Sequence, residues 1–180
     1  MMIQVDTREH ASEWNRIKGQ FDDAGIQYVR SKLYVGDYMS LDNARLVIDR
    51  KKDLQEICGN VCQQHERFKK ELIRAIEANI QIIFLIEHGP DIMTLEDVYF
   101  WQNPRKHEIR WRYNKFTGKK EKYFISAKAV DGVQLYKSLC TIRDRYGARF
   151  EFCCKPDTGK KIVELLSDDK GRDQTIVQHG

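Results

Sequence analysis

Apolar residues along this chain recur with two periods, and their alternation lays out an α/β order. Met2 to Val5 reads as a short buried strand, and Trp14, Ile17, Phe21 and Ala24 then recur at helical spacing until Gly25 supplies a C-terminal stop. Ile26 to Val29 predicts a second strand. Two strand-forming runs, Leu33 to Ser40 and Arg45 to Lys51, flank Leu41-Asp42-Asn43-Ala44, whose Asp and Asn favour a tight turn, so a β-hairpin is expected here. Leu54, Ile57, Cys58 and Val61 mark one helical face, continued by Phe68, Leu72, Ile73 and Ile76. Gly59-Asn60 is placed to loosen it, giving one helix or a broken pair. Ile80 to Ile86 is continuously apolar and stops at Glu87-His88-Gly89-Pro90, as a central strand buried on both faces does. A helix through Val133, Tyr136, Leu139 and Cys140 closed by Gly147, a strand from Phe150 to Cys153 and a last helix from Gly159 to Leu166 complete the pattern. The expected fold class is α/β, a central mixed β-sheet flanked by helices.

The stretch 94–128 interrupts that order and reads as an insertion. It holds eight of the nineteen aromatic residues, and residues 101–128 carry nine Lys and Arg against two acids although the whole chain is only +4. Ile109, Trp111 and Tyr113 alternate with Arg110, Arg112 and Asn114, Thr117-Gly118 supplies a turn, and Lys119, Lys120 and Lys122 return along a second arm. A basic, aromatic β-hairpin results. Its cations suit phosphates and its rings suit unpaired bases, so Arg105, Lys106, Arg110, Trp111, Arg112, Lys115, Lys119, Lys120 and Lys122 are candidate nucleic-acid contacts. An ordinary hairpin with its aromatics packed on the domain is the alternative.

Chemistry concentrates in the first hairpin. If its turn centres on Asn43, paired positions sum to 86 and Asp37 faces Asp49, with Cβ atoms roughly 4.5–5.5 Å apart. Two such carboxylates repel unless a cation bridges them, and Mg²⁺ is held by one or two carboxylates with water and phosphate oxygens. Lys51, two residues beyond Asp49, shares its face, while Arg50 points to the other side. Asp6 and Glu9, at the end of the first strand, are further acids for such a site, although Asp6 or Thr7 would equally serve as a helix cap.

Asp, about a dozen residues, then Asp-X-Lys is the PD-(D/E)-x-K pattern of the restriction-endonuclease-like fold. Val5-Asp6-Thr7-Arg8-Glu9, Gly36-Asp37-Tyr38 and Ile48-Asp49-Arg50-Lys51 together resemble the nuclease domain of the XPF/MUS family of structure-specific endonucleases. The likeness runs on through Asp53 to Ile57, Gly59-Asn60 and His65 to Phe68, and departs in having Asp49 where the family usually has Glu. What the resemblance implies is a phosphodiester hydrolase acting on branched, flap or fork DNA in repair or recombination, dependent on Mg²⁺ or Mn²⁺. Asp6, Asp37 and Asp49 would be the metal ligands, and Lys51, Arg8, Glu9, Arg50 and Glu56 the other site residues. Asp53 competes with Glu56 as the additional acid, and Arg67 with Lys69 would hold backbone phosphate. A homodimer or heterodimer is also implied, with Leu135, Leu139, Ile162 and Leu166 available for an interface or for core packing.

At 180 residues and 41% apolar content, the chain can bury one core. We expect a single nuclease domain over 1–167, including the insertion, and a flexible tail over 168–180. No run reaches the length of a membrane span, the N-terminus lacks signal-peptide character, and an odd number of cysteines fits reduced thiols, so an intracellular protein is expected. The family's tandem helix-hairpin-helix module is missing, which suggests a bacterial or viral source and a cytoplasmic location. No phosphate-cradling glycine loop or nucleophile elbow supports nucleotide hydrolysis or acyl transfer. Two other readings stay open: a non-catalytic DNA-binding partner in a nuclease heterodimer, and an RNA-processing nuclease.

Overall fold

Strand alternation decides how the layers stack. The computed structural model describes residues 1–124 and 129–168. In chain order it contains β1 (Met2–Val5), α1 (Ala11–Asp23), β2 (Gln27–Arg30), β3 (Tyr38–Ser40), β4 (Asn43–Lys51), α2 (Leu54–Cys62), α3 (His65–Glu77) and β5 (Gln81–Glu87). There follow β6 (Ile109–Asn114), β7 (Lys119–Phe124), α4 (Gly132–Tyr146), β8 (Arg149–Cys153) and α5 (Thr158–Asp168). Six strands form one mixed sheet in the order β2-β1-β3-β4-β5-β8, in which β3 runs antiparallel to both neighbours and the other pairs are parallel.

Along β4, Leu46 and Ile48 enter a core with Trp14, Ile17 and Phe21 of α1 and with Ile162, Leu165 and Leu166 of α5. Val47 lies in the opposite core with Leu54, Ile57, Phe68, Leu72, Leu135 and Leu139 of α2, α3 and α4. β5 divides the same way, Ile83 and Leu85 to the first core and Ile82, Phe84 and Ile86 to the second. With a side-chain period of two, residue 50 follows 46 and 48, and residues 49 and 51 follow 47. Arg50 is therefore sent to the α1/α5 layer, and Asp49 and Lys51 to the α2/α3 layer.

The register of the first hairpin is the predicted one, Tyr38 facing Ile48 and Met39 facing Val47. Its turn is tighter than expected, because Ser40 pairs with Asn43 and a bulge between Met39 and Ser40 absorbs the extra residues. Leu33 to Asp37 is loop, not strand. Gly36 is what lets this loop reach β4. Its φ is +71°, and an added Cβ would stand 3.0 Å from the Ile48 carbonyl oxygen and 3.2 Å from Val47.

Other expectations shift in instructive ways. The helix break falls at Gln63-Gln64, while Gly59 stays helical inside α2. The buried stripe of α3 is Phe68, Leu72 and Ala75, leaving Ile73 and Ile76 exposed, since a helix against a sheet buries a narrower arc than its apolar residues span. Residues 94–103 belong to the domain and not to the arm: Leu95, Val98 and Trp101 join the second core, and the buried Asn103 donates its amide to the Val130 carbonyl at 2.8 Å. Gly132 packs directly on that segment, where an added Cβ would meet backbone atoms of Val98 and Trp101 at 2.5–2.7 Å. Leu135, Leu139, Ile162 and Leu166 are buried within the chain, so core packing accounts for them and they present no interface. The expected tail, from residue 169 on, lies outside the described residues.

The basic arm forms as a separate antiparallel sheet, with Trp111 opposite Lys122 and Tyr113 opposite Lys120. Trp111, Tyr113 and Phe116 are not packed on the domain. Trp111 is 59% exposed, Tyr113 63% and Phe116, at the turn, fully exposed.

Candidate active site

Asp49 stands at the centre of the α2/α3 face. Its carboxylate accepts from the Lys51 Nζ at 2.7 Å, and both side chains are buried. Asp37 immediately precedes β3, at the end of the loop from Leu33. Its backbone N–H donates to the Ile48 carbonyl at 2.8 Å, and its Oδ2 accepts from the Arg50 backbone N–H at 2.9 Å, which pins the carboxyl to β4. Burial pushes Asp37 well above the usual carboxylate range, and Asp49 and Glu9 add to that rise. Glu71 of α3 is raised for the same reasons, burial first and Asp49 second. Burial works against the charge of Lys51, but Asp49, Asp37 and Glu56 outweigh it and hold the amine above its ordinary value, so it remains an ammonium. Three carboxylates thus meet one ammonium on this face.

Glu71 was not legible as a site residue from spacing. The signal that could have found it is its position at the edge of the Phe68–Leu72–Ala75 stripe, four residues after Arg67. With Lys51, Glu56, Arg67 and Phe68, Glu71 lines a hollow of about 270 Å³. Glu56 accepts from the Lys52 backbone N–H at 3.0 Å on the rim of this hollow, whereas Asp53 is the N-cap of α2 and accepts from the Glu56 N–H at 2.7 Å. Lys69 lies apart, at a separate hollow between α3 and α4.

Asp6 is fully buried and already engaged. Its Oδ1 accepts from the Arg8 backbone N–H at 2.7 Å and the Arg8 Nε at 2.8 Å, and its Oδ2 from the Arg8 Nη2 at 2.8 Å and the Leu33 N–H at 2.7 Å. Burial opposes its ionisation, but these donors prevail and hold it below the usual range. Arg8 itself is 59% exposed and lies within the electrostatic reach of Asp37 and Glu71.

Glu9 and Arg50 are brought together on the other face of the sheet. Arg50 donates to both Glu9 oxygens, at 2.8 and 3.1 Å, and stands 3.4 Å from the buried Glu87. Tyr38 donates to Glu9 at 2.9 Å. Arg16 joins Glu87 at 2.5 Å and Glu13 at 2.8 Å, Thr158 donates to Glu87, and Lys155 reaches Glu13 at 3.1 Å. Glu9 is held below the usual range, because Arg50 and Tyr38 overcome the effect of burial.

On the arm, Lys122 sits 5.1 Å over the Trp111 ring and Arg112 5.5 Å over Tyr123. Arg110 pairs with Glu108 at 3.2 Å and Lys106 with Asp131 at 3.6 Å, while Lys115, Lys119 and Lys120 are exposed.

Among the described residues, no three His, Cys, Asp or Glu side chains are grouped so as to hold a metal ion by themselves. The donor set still fits a hard dication: Asp37 and Asp49 are oxygen donors in mutual repulsion, and Mg²⁺ takes the rest of its shell from water and phosphate.

A mixed α/β sheet carrying an Asp…Asp-X-Lys hairpin on one face is the framework of a restriction-endonuclease-like domain. The ERCC4 domain family matches residues 5–165, and the chain belongs to that family. No curated protein matches it. Its fold is similar to XPF from Aeropyrum pernix, with a TM-score of 0.59 and 18% identity over 96% of this chain and 66% of that one. It is equally similar to XPF from Aeropyrum pernix in complex with DNA, with a TM-score of 0.58 and 18% identity over 97% and 68% of the respective chains. The chain thus spans about two thirds of those proteins' length. Among the described residues, no helix is long and apolar enough to cross a membrane.

Proposed function

We propose that this chain is a metal-dependent DNA endonuclease that hydrolyses phosphodiester bonds in branched, flap or fork DNA. The observation that carries the reading is the gathering of Asp37, Asp49 and Glu71 around the buried Lys51 on the α2/α3 face, with Arg8, Arg67 and Arg74 at its edge. Carboxylates that raise one another in a partly buried site are what a divalent cation relieves. Family membership supports nuclease chemistry, and the similar structure bound to DNA supports the substrate class.

Asp37 and Asp49 would hold Mg²⁺ or Mn²⁺, with Glu71 able to join through water. Such an ion would supply Lewis acidity towards the scissile phosphate and a bound water. Lys51, held as an ammonium, cannot accept a proton, so its part is to donate hydrogen bonds and stabilise charge developing on phosphate oxygens. Arg8 and Arg67, exposed at the rim, would anchor the flanking backbone. Asp6, expected as a third ligand, instead holds Arg8 and Leu33 in place, so its part is to fix Arg8. Glu9 and Arg50 act from behind the sheet, through the Arg50 N–H that holds Asp37.

The test is cleavage of end-labelled duplex, single-stranded, flap and fork DNA with Mg²⁺ or Mn²⁺, wild type against Asp37→Ala and Lys51→Ala. We expect a cut only by wild type, with the variants slower by about 10²–10⁴-fold. Wild-type protein that binds a fork without cutting it would replace this reading with that of a non-catalytic partner, and preferential cutting of RNA would replace it with RNA processing.

A further inference from the structure

Two isoleucines of α3 serve neither the core nor the cleavage site. Ile73 is 37% exposed and Ile76 51%. They follow Lys69 and Leu72 at a spacing of four, so they prolong one side of the helix. On that side α3 and α4 leave a hollow of about 250 Å³, and Phe68 divides it from the hollow at Lys51. Its floor is apolar, made by Val61 at the end of α2, Phe68 and Leu72 of α3, and Ile142 and Tyr146 of α4. There is room in it for one large apolar side chain. A single exposed isoleucine is ordinary, but an apolar strip that continues a hollow marks a binding surface.

The rim of this groove is basic. His65, Lys69 and Arg145 line it, and among the described residues no acid does. Glu66 is drawn to His65 at 3.7 Å and Asp144 to Arg143 at 2.8 Å, so neither takes up the other two cations. Among the described residues, Lys69 and Arg145 form no ion pair, and Arg145 stands 5.6 Å over the Tyr146 ring. Ser138 and Thr141 donate their hydroxyls at 2.9 Å to carbonyls of α4, which leaves their oxygens free to accept from a ligand. A DNA backbone would use the cations but gain nothing from the apolar floor or the isoleucines. A second copy docked by a two-fold axis would bring the same cations face to face. An acidic peptide with apolar anchors uses every feature of the groove.

We infer that the α3/α4 groove docks an acidic segment of a partner protein, with a large apolar side chain in the hollow over Phe68 and Ile142 and carboxylates on Lys69 and Arg145. A second apolar side chain of the same segment covers Ile73 and Ile76. From Phe68 to Ile76 is eight residues of α3, so the two anchors lie about 12 Å apart. Apolar anchors supply most of the affinity in such a contact, while the charges choose the partner and its orientation. The surface faces away from the hollow at Lys51, and the inference does not depend on the endonuclease reading.

The experiment is selection from a random dodecapeptide phage library on the full chain, followed by fluorescence anisotropy of the labelled consensus peptide. The proteins are wild type, Thr141→Trp, which fills the hollow from an exposed position, and the double variant Lys69→Glu with Arg145→Glu, with folding verified by circular dichroism. We expect a consensus of Asp and Glu around two large apolar residues, and binding weaker by about tenfold or more in each variant. Bound peptide should also slow maleimide alkylation of the exposed Cys62, which lines the same hollow, as read by mass spectrometry. No consensus, a neutral or basic consensus, a peptide whose affinity both variants keep, or unchanged alkylation of Cys62 would each overturn the assignment. A fork DNA in EDTA that loses as much affinity as the peptide in the double variant would give the groove to nucleic acid instead. A wild-type dimer that Thr141→Trp turns into a monomer in sedimentation would give it to a second copy.

Discussion

Three consecutive residues of β4 feed two buried charge clusters of opposite character. On the α1/α5 face, Glu9, Glu13 and Glu87 meet Arg16, Arg50 and Lys155, and the charges balance. On the α2/α3 face, Asp37, Asp49 and Glu71 crowd around Lys51, and the arginines that act on them, Arg8, Arg67 and Arg74, stand exposed at the edge. Glu9 and Glu13 of the first cluster are held below the usual carboxylate range, and Asp37 and Glu71 of the second are raised above it. Carboxylates that raise one another in a cleft are a candidate functional site, whereas acids each held by a cation are not. The balanced face has the opposite meaning: it is a strut, and Arg50 links the two, since its side chain belongs to the strut while its backbone N–H holds Asp37.

The largest effect should come from removing one cation on each face. Arg50→Met leaves Glu9 and Glu87 buried without their shared partner and should destabilise the protein by about 3–5 kcal/mol, lowering Tm by about 10 °C. Lys51→Met also leaves carboxylates unopposed. On this face, however, Mn²⁺ should restore much of the lost stability, and it should do nothing for Arg50→Met. Thermal unfolding with and without Mn²⁺ checks the pair, and rescue of both variants or of neither would remove the distinction between the faces.

Next comes the residue that delivers Asp37 to β4. Gly36→Ala forces a side chain into a left-handed conformation against the Ile48 carbonyl, for a cost of about 2–4 kcal/mol in urea unfolding. It should also weaken Mn²⁺ binding, because Asp37 shifts with the loop. Loss of stability with metal affinity intact would detach Asp37 from the site.

Much of this division could be read in the sequence. The 86-sum register held at Tyr38–Ile48 and Met39–Val47, while Asp37 lies in the loop before that ladder and is pinned to β4 by the Arg50 N–H, and period-two alternation put Arg50 on the far side. The hairpin arm was legible because alternation and charge agreed. The role of Glu9 was not, since its partners Arg50 and Tyr38 lie 41 and 29 residues away and only the sheet order brings them together. Glu71 was hidden on a helix whose stripe looked wider than it is. Tyr99, Phe100 and Trp101 resembled arm aromatics, but Trp101 packs inward because the segment has to cover the start of α4 at Gly132.

A smaller effect separates the clusters by the sign of their pH dependence. Asp37 has a folded-state pKa above its unfolded value, so the fold is most stable relative to the unfolded chain while this carboxyl is protonated. That contribution is lost as pH rises from the ordinary Asp range through the raised value. In EDTA, Asp37→Asn keeps an acceptor for the Arg50 N–H and removes the penalty. It should raise Tm at pH 7.5 by a few degrees and flatten the pH profile, while abolishing cleavage. A variant less stable than wild type at pH 7.5 would mean that Asp37 is not strained by its neighbours.

The smallest effect belongs to Glu13, at the partly exposed end of the balanced face. The hydrogen bond from Arg16 lowers it most, burial opposes, and the bond from Lys155 adds to the lowering, bringing it to about 2. A depressed carboxylate contributes stability that is present above its unfolded value near 4.5 and is lost as pH falls towards about 2, the reverse of Asp37. Its exposure lets solvent screen the pairing, so Glu13→Gln should cost no more than about 1 kcal/mol at pH 7. The difference in urea midpoint between wild type and variant should shrink as pH drops from 5 to 2.5, because most of the contribution of the pairing is lost over that range. If the difference does not shrink, the cost of the substitution is packing and not charge. The balanced face would then owe its stability at this end to the Glu13 stem, and the contrast between the clusters would narrow to Glu9, Arg50 and Glu87.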